Sequence, residues 1–261
     1  MTSIYGDIGT YNATALWIGA ILFTFQIYGD FSGYSDIAIG TARLFGVDLK
    51  KNFNLPYFSR NIAEFWKRWH ISLTRWLTTH VYIGLGGNRC SKLRQYWNII
   101  ITFLVSGIWH GANWSFILWG VMHGLLQCIE KSLGLDPKGK YANTVLLGRL
   151  KLLRILITFV LVNFAWILFR LPSVSAAWVV LRKIFTWEGS GLFLPSNSVL
   201  CFILLALCVV IGKESCEEYF PRVQLFNSKH TAIRWISYMV VLVMILLCGV
   251  FDSSQFIYVK F

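Results

Sequence analysis

Histidine is the side chain best suited to moving a proton near neutral pH, and this chain has five. Two of them, His110 and His123, stand where charge is scarce. His110 lies in Ser106-Gly107-Ile108-Trp109-His110-Gly111-Ala112-Asn113-Trp114, inside residues 97–129, which contain no Asp, Glu, Lys or Arg. Ionisable side chains in such apolar segments are rare and mark function by default. Gly107 and Gly111 allow a neighbouring helix or a substrate to approach the ring closely. An apolar setting disfavours the imidazolium form and so keeps a base nitrogen available at neutral pH. The same residues serve equally well a neutral histidine that hydrogen-bonds across helices. Residue type and spacing do not separate the two readings.

The other candidates are weaker. His70 lies at the edge of an apolar helical face, where an interfacial histidine would snorkel. His80 suits a solvated or C-capping role, His123 reads as a polar contact between helices, and His230 carries no assignment. Asp30 and Asp36 flank Phe31-Ser32-Gly33-Tyr34-Ser35 and would line a water-filled cavity or pair with a basic residue; the dipeptides Gly29-Asp30 and Ser32-Gly33 equally make this a turn. Gly84-Leu85-Gly86-Gly87-Asn88-Arg89 is neither a dinucleotide fingerprint nor a P-loop, and reads as a flexible turn. No nucleophile elbow, zinc-protease motif or carboxylate pair is evident. The six cysteines form no CxxC pair and sit mostly in apolar runs, as small buried side chains would. No metal site is expected.

The elements that must position these residues belong to a membrane protein. The 261 residues are 56% hydrophobic and 14% charged, against about 25% charged in soluble domains. Lipid is the solvent such a chain needs. The net charge of +12 is spread between long apolar runs with no recognisable reading module, which excludes nucleic acid as a partner. Without a basic n-region, the N-terminus does not resemble a cleaved signal peptide.

Six membrane segments are expected in an all-α chain: 13–28, two arms within 97–129, 152–169, 199–211 and 233–250. The fifth is short for a full span, which needs roughly 17–25 residues. Charge decides how 97–129 divides. Residues 43–94 carry ten Lys or Arg and residues 130–154 carry six, whereas residues 1–42 carry none. A hairpin broken at Gly111–Asn113 keeps both basic loops cytoplasmic, as the positive-inside tendency prefers. The same rule makes 213–232 cytoplasmic and both termini external. Within 43–94, Asn61 and Glu64 resemble a capping box. Ile62, Phe65, Trp66, Trp69, Leu73, Trp76 and Leu77 follow at helical spacing, opposite Glu64, Arg68 and Arg75. This predicts one amphipathic helix lying in the interface or dipping between spans.

Several runs then resemble, in order, the membrane-bound O-acyltransferases of the alginate O-acetyltransferase group: residues 25–40, Asn52-Phe53-Asn54-Leu55-Pro56-Tyr57, residues 64–73, residues 82–89, Ser106 to Trp114, and Gln255-Phe256-Ile257-Tyr258. The resemblance is densest over residues 25–125. It implies that His110 is catalytic and His70 its partner, and that Asp30, Asp36, Trp66, Trp69 and Asn113, which lie within the matching runs, contact substrate. It further implies acyl transfer to hydroxyls, chiefly acetylation of exported polysaccharides, with no bound cofactor and with acetyl-CoA or a partner-delivered acyl group as donor. Membrane lipids, the polysaccharide and a periplasmic or extracellular acetyltransferase are the implied partners, at the bacterial inner membrane. Two departures stand out. Thr78-Thr79-His80 occupies the place of an Arg-Asp-Tyr-like tripeptide, and the family's preceding membrane helices are absent, as expected of a C-terminal part. The competing readings are D-alanyl transfer to teichoic acid, a transporter component, or a non-catalytic remnant.

Overall fold

The computed structural model describes residues 5–137, 139, 141, 148–189, 191–192, 196–220, 226 and 228–248. Over these residues the chain is all-helical, with one isolated bridge between Tyr11 and Gly191. It divides into two compact units, Met1–Phe193 and Leu194–Lys260. Among the described residues, three helices are long and apolar enough to cross a membrane: Ala13–Leu44, Lys151–Arg170 and Asn197–Tyr219. The run Gln255 to Tyr258 lies outside the described residues.

In the first unit, helix α1 (Ala13–Leu44) starts at Asn12, whose side chain accepts the Ala15 N–H at 3.0 Å. It continues through Gly29-Asp30 and Ser32-Gly33, so no turn forms there. Burial of Tyr28, Phe31 and Ser35 on one face outweighs a glycine penalty of roughly 0.5–1 kcal/mol per residue. Asp30 and Asp36 therefore ride on a helix, the first half-buried and the second exposed.

Helices α6 (Lys151–Arg170) and α7 (Val174–Thr186) pack against α1, closing a core of Leu16, Ala20, Ile167, Leu171, Ala177, Val180 and Ile184. Buried polar groups tie this packing together. Asn163 Nδ2 donates to Thr24 Oγ1 at 2.7 Å, Thr24 donates on to the Ala20 carbonyl, and Tyr57 OH reaches the Thr24 carbonyl at 2.7 Å. Helix α7, capped by Ser173, is absent from the six expected segments because Arg182 and Lys183 interrupt its short apolar run.

Helices α4 (Lys92–His110) and α5 (Trp114–Ser132) form the expected hairpin, broken at residues 111–113. Their backbones touch at glycines. A Cβ on Gly107 would strike the Phe116 carbonyl, one on Gly120 the Phe103 carbonyl, and one on Gly124 would come within 3.1 Å of Ile100 Cα. Small residues at such crossings allow packing that larger ones forbid.

The amphipathic stretch is not one helix. It divides into α2 (Ile62–Arg68) and α3 (Ile71–Leu77), followed by a π-helical turn, Thr78–Tyr82. His70, at φ 43°, makes the break. Nor is Glu64 on an exposed face: it is buried, bonded to Arg60 and to Arg68 at 2.9 Å. Asn61 caps α2 by accepting the Glu64 N–H at 2.7 Å, but the Glu64 carboxylate bonds the Arg60 N–H rather than that of Asn61. The second half of a capping box is displaced by one residue.

In the second unit, α8 (Asn197–Tyr219) is longer than the fifth expected segment, carried past Lys213 by an i,i+4 pair with Glu217 at 3.3 Å. Helix α9 (Thr231–Cys248) follows. The cysteines whose burial is described are not buried as expected: Cys90 and Cys128 are intermediate, and Cys201, Cys208 and Cys216 are exposed along α8, an outward-facing apolar helix.

The glycine contacts of the hairpin can be tested. Replacing Gly120 with Val should force α4 and α5 apart at a cost of about 1–3 kcal/mol, read as a lower thermal midpoint and folded yield in detergent. Gly40→Ala, where a Cβ meets nothing within 4 Å, should match or exceed the parent.

Candidate active site

His110 is the last residue of α4, and Gly111 ends the helix at φ 149°, a conformation that other residues rarely adopt. The imidazole is half-buried. Trp119 of α5 and Phe169 of α6 meet it edge-on, with ring centroids at 5.2 and 5.0 Å. Neither ring nitrogen hydrogen-bonds within the described residues. The indole N–H groups of Trp119 and Trp166 are buried and likewise have no partner there. Donors and an acceptor are thus left uncommitted in one aromatic cage, at a cost of about 1–3 kcal/mol per buried group. Asn113 anchors the turn beside it. Its Oδ1 accepts the Ser115 N–H at 3.0 Å and its Nδ2 donates to the Pro172 carbonyl at 2.8 Å, so both ends of the side chain are spent on structure.

His70 comes from the α2–α3 break. Phe31 of α1 packs edge-on against it at 4.7 Å, and Trp109 lies at 6.2 Å, bringing His70 within electrostatic reach of His110. The two histidines, 40 positions apart in sequence, thus meet across Trp109. His70 Nδ1 faces Asn52 Oδ1 at 3.3 Å and Ser72 Oγ at 3.4 Å. Its ring lines a cavity of about 600 Å³ together with Tyr34, Lys50, Lys51, Arg75 and Trp76. Burial pushes the His70 pKa down to about 4, which keeps the ring neutral at pH 7. Burial also pushes the Glu64 carboxyl up, but hydrogen bonds from Arg60 and the charges of Arg68 and Arg60 outweigh it, and the net shift is downward.

A second cavity, of about 690 Å³, runs from Lys67, Gln95 and Lys131 to Trp66, Phe103 and Ser106. His110 lines neither cavity. Trp66 borders the second, and its Nε1 donates to His123 Nδ1 at 3.3 Å, the interhelical contact expected of His123. Trp69 is buried among Tyr28, Phe53, Tyr57, Phe65 and Trp166. His80, on the π-helical turn, lies tilted against Trp76 of α3 with ring centroids 4.9 Å apart. Sequence reasoning gave no role to Asn52, Trp119 or Phe169. Only the run 52–57 drew attention to Asn52, and nothing in spacing links it to His70.

These features define a class: an all-helical membrane protein that brings an imidazole at a helix end and another at a helix break to either side of one indole, Trp109. Residues 9–135 match the model of the family described as "MBOAT, membrane-bound O-acyltransferase family", and this region of the chain belongs to that family. The chain is 44% identical over 179 residues to a "Probable alginate O-acetylase" of Pseudomonas aeruginosa, covering 67% of this chain and 33% of that protein. It is 41% identical over 196 residues to a peptidoglycan O-acetyltransferase of Helicobacter pylori, covering 73% and 36%. A teichoic acid D-alanyltransferase of Streptococcus thermophilus is 36% identical over 124 residues, covering 45% and 30%. The chain spans about a third of the length of these curated relatives.

The depressed His70 pKa has a thermodynamic consequence. Between pH 6.5 and about 4 the unfolded chain takes up a proton that the folded site refuses. The contribution of His70 to stability is therefore complete above pH 6.5 and is lost as pH falls toward about 4. A 15N titration of histidine-labelled protein should find His70 neutral at pH 5, and His70→Gln should flatten this part of the acid-side loss of stability.

Proposed function

We propose that this chain carries the acid–base centre of an inner-membrane, multi-pass O-acyltransferase that acetylates hydroxyls of an exported polysaccharide. The observation that carries the reading is the meeting of His70 and His110 across Trp109, inside a region belonging to an acyltransferase family. His110 takes the proton of the acceptor hydroxyl as the oxygen attacks the carbonyl of an acyl thioester. The new acyl–oxygen bond forms, the carbon–sulfur bond breaks, and the proton passes to the departing thiolate. His70 holds a substrate from the neighbouring break. The donor is acetyl-CoA or an acyl group delivered by a partner protein, and Lys50, Lys51 and Arg75 at the His70 cavity suit an anionic donor or lipid headgroups. Trp66, bordering the second cavity, and Asp30, half-buried on α1, remain candidates for substrate contact. A separate extracytoplasmic acetyltransferase is the fitting partner for an exported polymer.

D-alanyl transfer is the second reading, supported by the relative at 36% identity. Acetylation is preferred because the acetyl-transferring relatives are 44% and 41% identical over longer spans.

General base catalysis contributes roughly 10²- to 10⁴-fold. In membranes of cells carrying these residues in their natural protein, His110→Ala should lower ester-linked acetate on the polysaccharide by about that factor, with the membrane-bound amount of protein unchanged on immunoblots. Acetylation at the parental rate would end the proposal.

A further inference from the structure

His70 stands in the left-handed region of backbone space, at φ 43° and ψ 56°. A residue with a Cβ occupies that region at a cost of about 1–2 kcal/mol, so something must hold it there. The holding group is Asn52. Its backbone carbonyl accepts the Ile71 N–H at 2.9 Å, and its side-chain Oδ1 accepts the Ser72 N–H at 3.0 Å. These are two of the N–H groups that the start of α3 leaves without helical partners. Two residues on, the Asn54 N–H bonds the Arg68 carbonyl at the end of α2 at 2.9 Å. The segment 52–54 thus clasps both sides of the break.

The clasp also determines where the His70 proton sits. A backbone N–H can only donate, so its bond to Asn52 identifies the amide atom at that position as oxygen. Ser72 Oγ lies 2.9 Å from the same oxygen and gives its proton to it. The two atoms facing His70 Nδ1 are therefore an amide oxygen, which accepts only, and a hydroxyl oxygen whose proton is already committed. Nδ1 must be the protonated nitrogen. In the neutral ring the lone pair is left on Nε2, which has no partner among the described residues.

We infer that Asn52 is a positioning residue for His70, fixing its Nδ1–H tautomer so that the ring meets ligands as a hydrogen-bond acceptor through Nε2. The group it takes is then an O–H donor, a hydroxyl of the acceptor sugar, and not a carbonyl or phosphate oxygen of the acyl donor. The tautomer rests on geometry alone; the ligand assignment rests on the acyl-transfer reading above. A neutral ring in this tautomer can orient a hydroxyl through Nε2, and has no N–H there with which to polarise a carbonyl.

The test has a spectroscopic arm and a kinetic arm. In lipid-reconstituted chain labelled with 15N-histidine, the His70 signal, assigned by its loss in His70→Gln, should show a protonated Nδ1 and a bare Nε2. Asn52→Leu should convert it to a mixture of tautomers. Asn52→Asp should keep the tautomer and raise the His70 titration midpoint. The shift is read against the other groups near the ring: His110 on α4, Tyr34 on α1, Lys50 and Lys51, Arg75 on α3, and His80 on the π-helical turn. For acetylation in membranes, Asn52→Leu should lose about ten- to a hundredfold, a fraction of the base contribution. Asn52→Asp should recover part of it, with the acid limb of the pH profile moved to higher pH. A purely structural Asn52 would lower the folded amount while leaving tautomer, midpoint and pH profile in place. A bare Nδ1 in the parent, or an unchanged tautomer in Asn52→Leu, overturns the inference. If the tautomer shifts as stated but His70→Ala acetylates normally, the positioning stands and the acyl-transfer reading of His70 falls.

Discussion

A helix that starts or stops uncovers backbone N–H and C=O groups, and each of them needs a partner from a side chain, another segment or water. That requirement governs the centre of this molecule. The break between α2 and α3 exposes N–H groups at Ile71 and Ser72, and Asn52 accepts both. Helix α2 is held at its other end by Glu130 of α5, whose carboxylate accepts the Ile62 N–H at 2.8 Å. Asn61 and Asn113 cap the starts of α2 and α5 in the same manner. Amide and carboxylate side chains near the site thus serve first to allow short, broken helices to exist where they place imidazoles.

The second organising element is aromatic. Trp119 touches His110, His123, Trp66 and Trp166, with centroid separations between 5.1 and 6.0 Å, and so joins α2, α4, α5 and α6 at one ring. Rigid aromatic side chains lose little conformational freedom when they pack, and edge-to-face contacts add about 0.5–1.5 kcal/mol beyond burial. The cage surrounding His110 is rigid on these grounds, while its uncommitted nitrogens keep hydrogen-bonding capacity for an arriving group. His70 contrasts with it. One of its nitrogens is committed by Asn52 and the other is left for ligand. The two imidazoles are alike in type and unlike in the partners that surround them.

Much of this was legible in the amino-acid order. A charge-free stretch between two basic loops called for a hairpin and placed its turn at Gly111–Asn113, where the structure breaks. The rarity of ionisable residues in that stretch drew attention to His110 and His123, and the family resemblance of the run Ser106 to Trp114 favoured His110. The runs containing His70 and His110 carried the family resemblance, which the match over residues 9–135 supports. Periodicity found the apolar face from Ile62 to Leu77, because hydrophobic spacing follows directly from helical geometry.

Periodicity did not find the break within that face, because α2 and α3 each keep helical spacing on either side of His70. Only tertiary structure supplies Asn52, 18 positions earlier in the chain, as the acceptor that makes a left-handed histidine tolerable. The same holds for Asp30 and Asp36, whose local dipeptides favour a turn yet lie on a helix because burial of neighbouring faces outweighs local propensity. The sequence by itself determined the apolar solvent, most of the helices and which histidines stood out, since these depend on composition and on short-range pattern. The partners of each imidazole, and for His70 the acceptor that faces Nδ1, were decided by the folded chain, because hydrogen bonds between distant segments leave no trace in spacing.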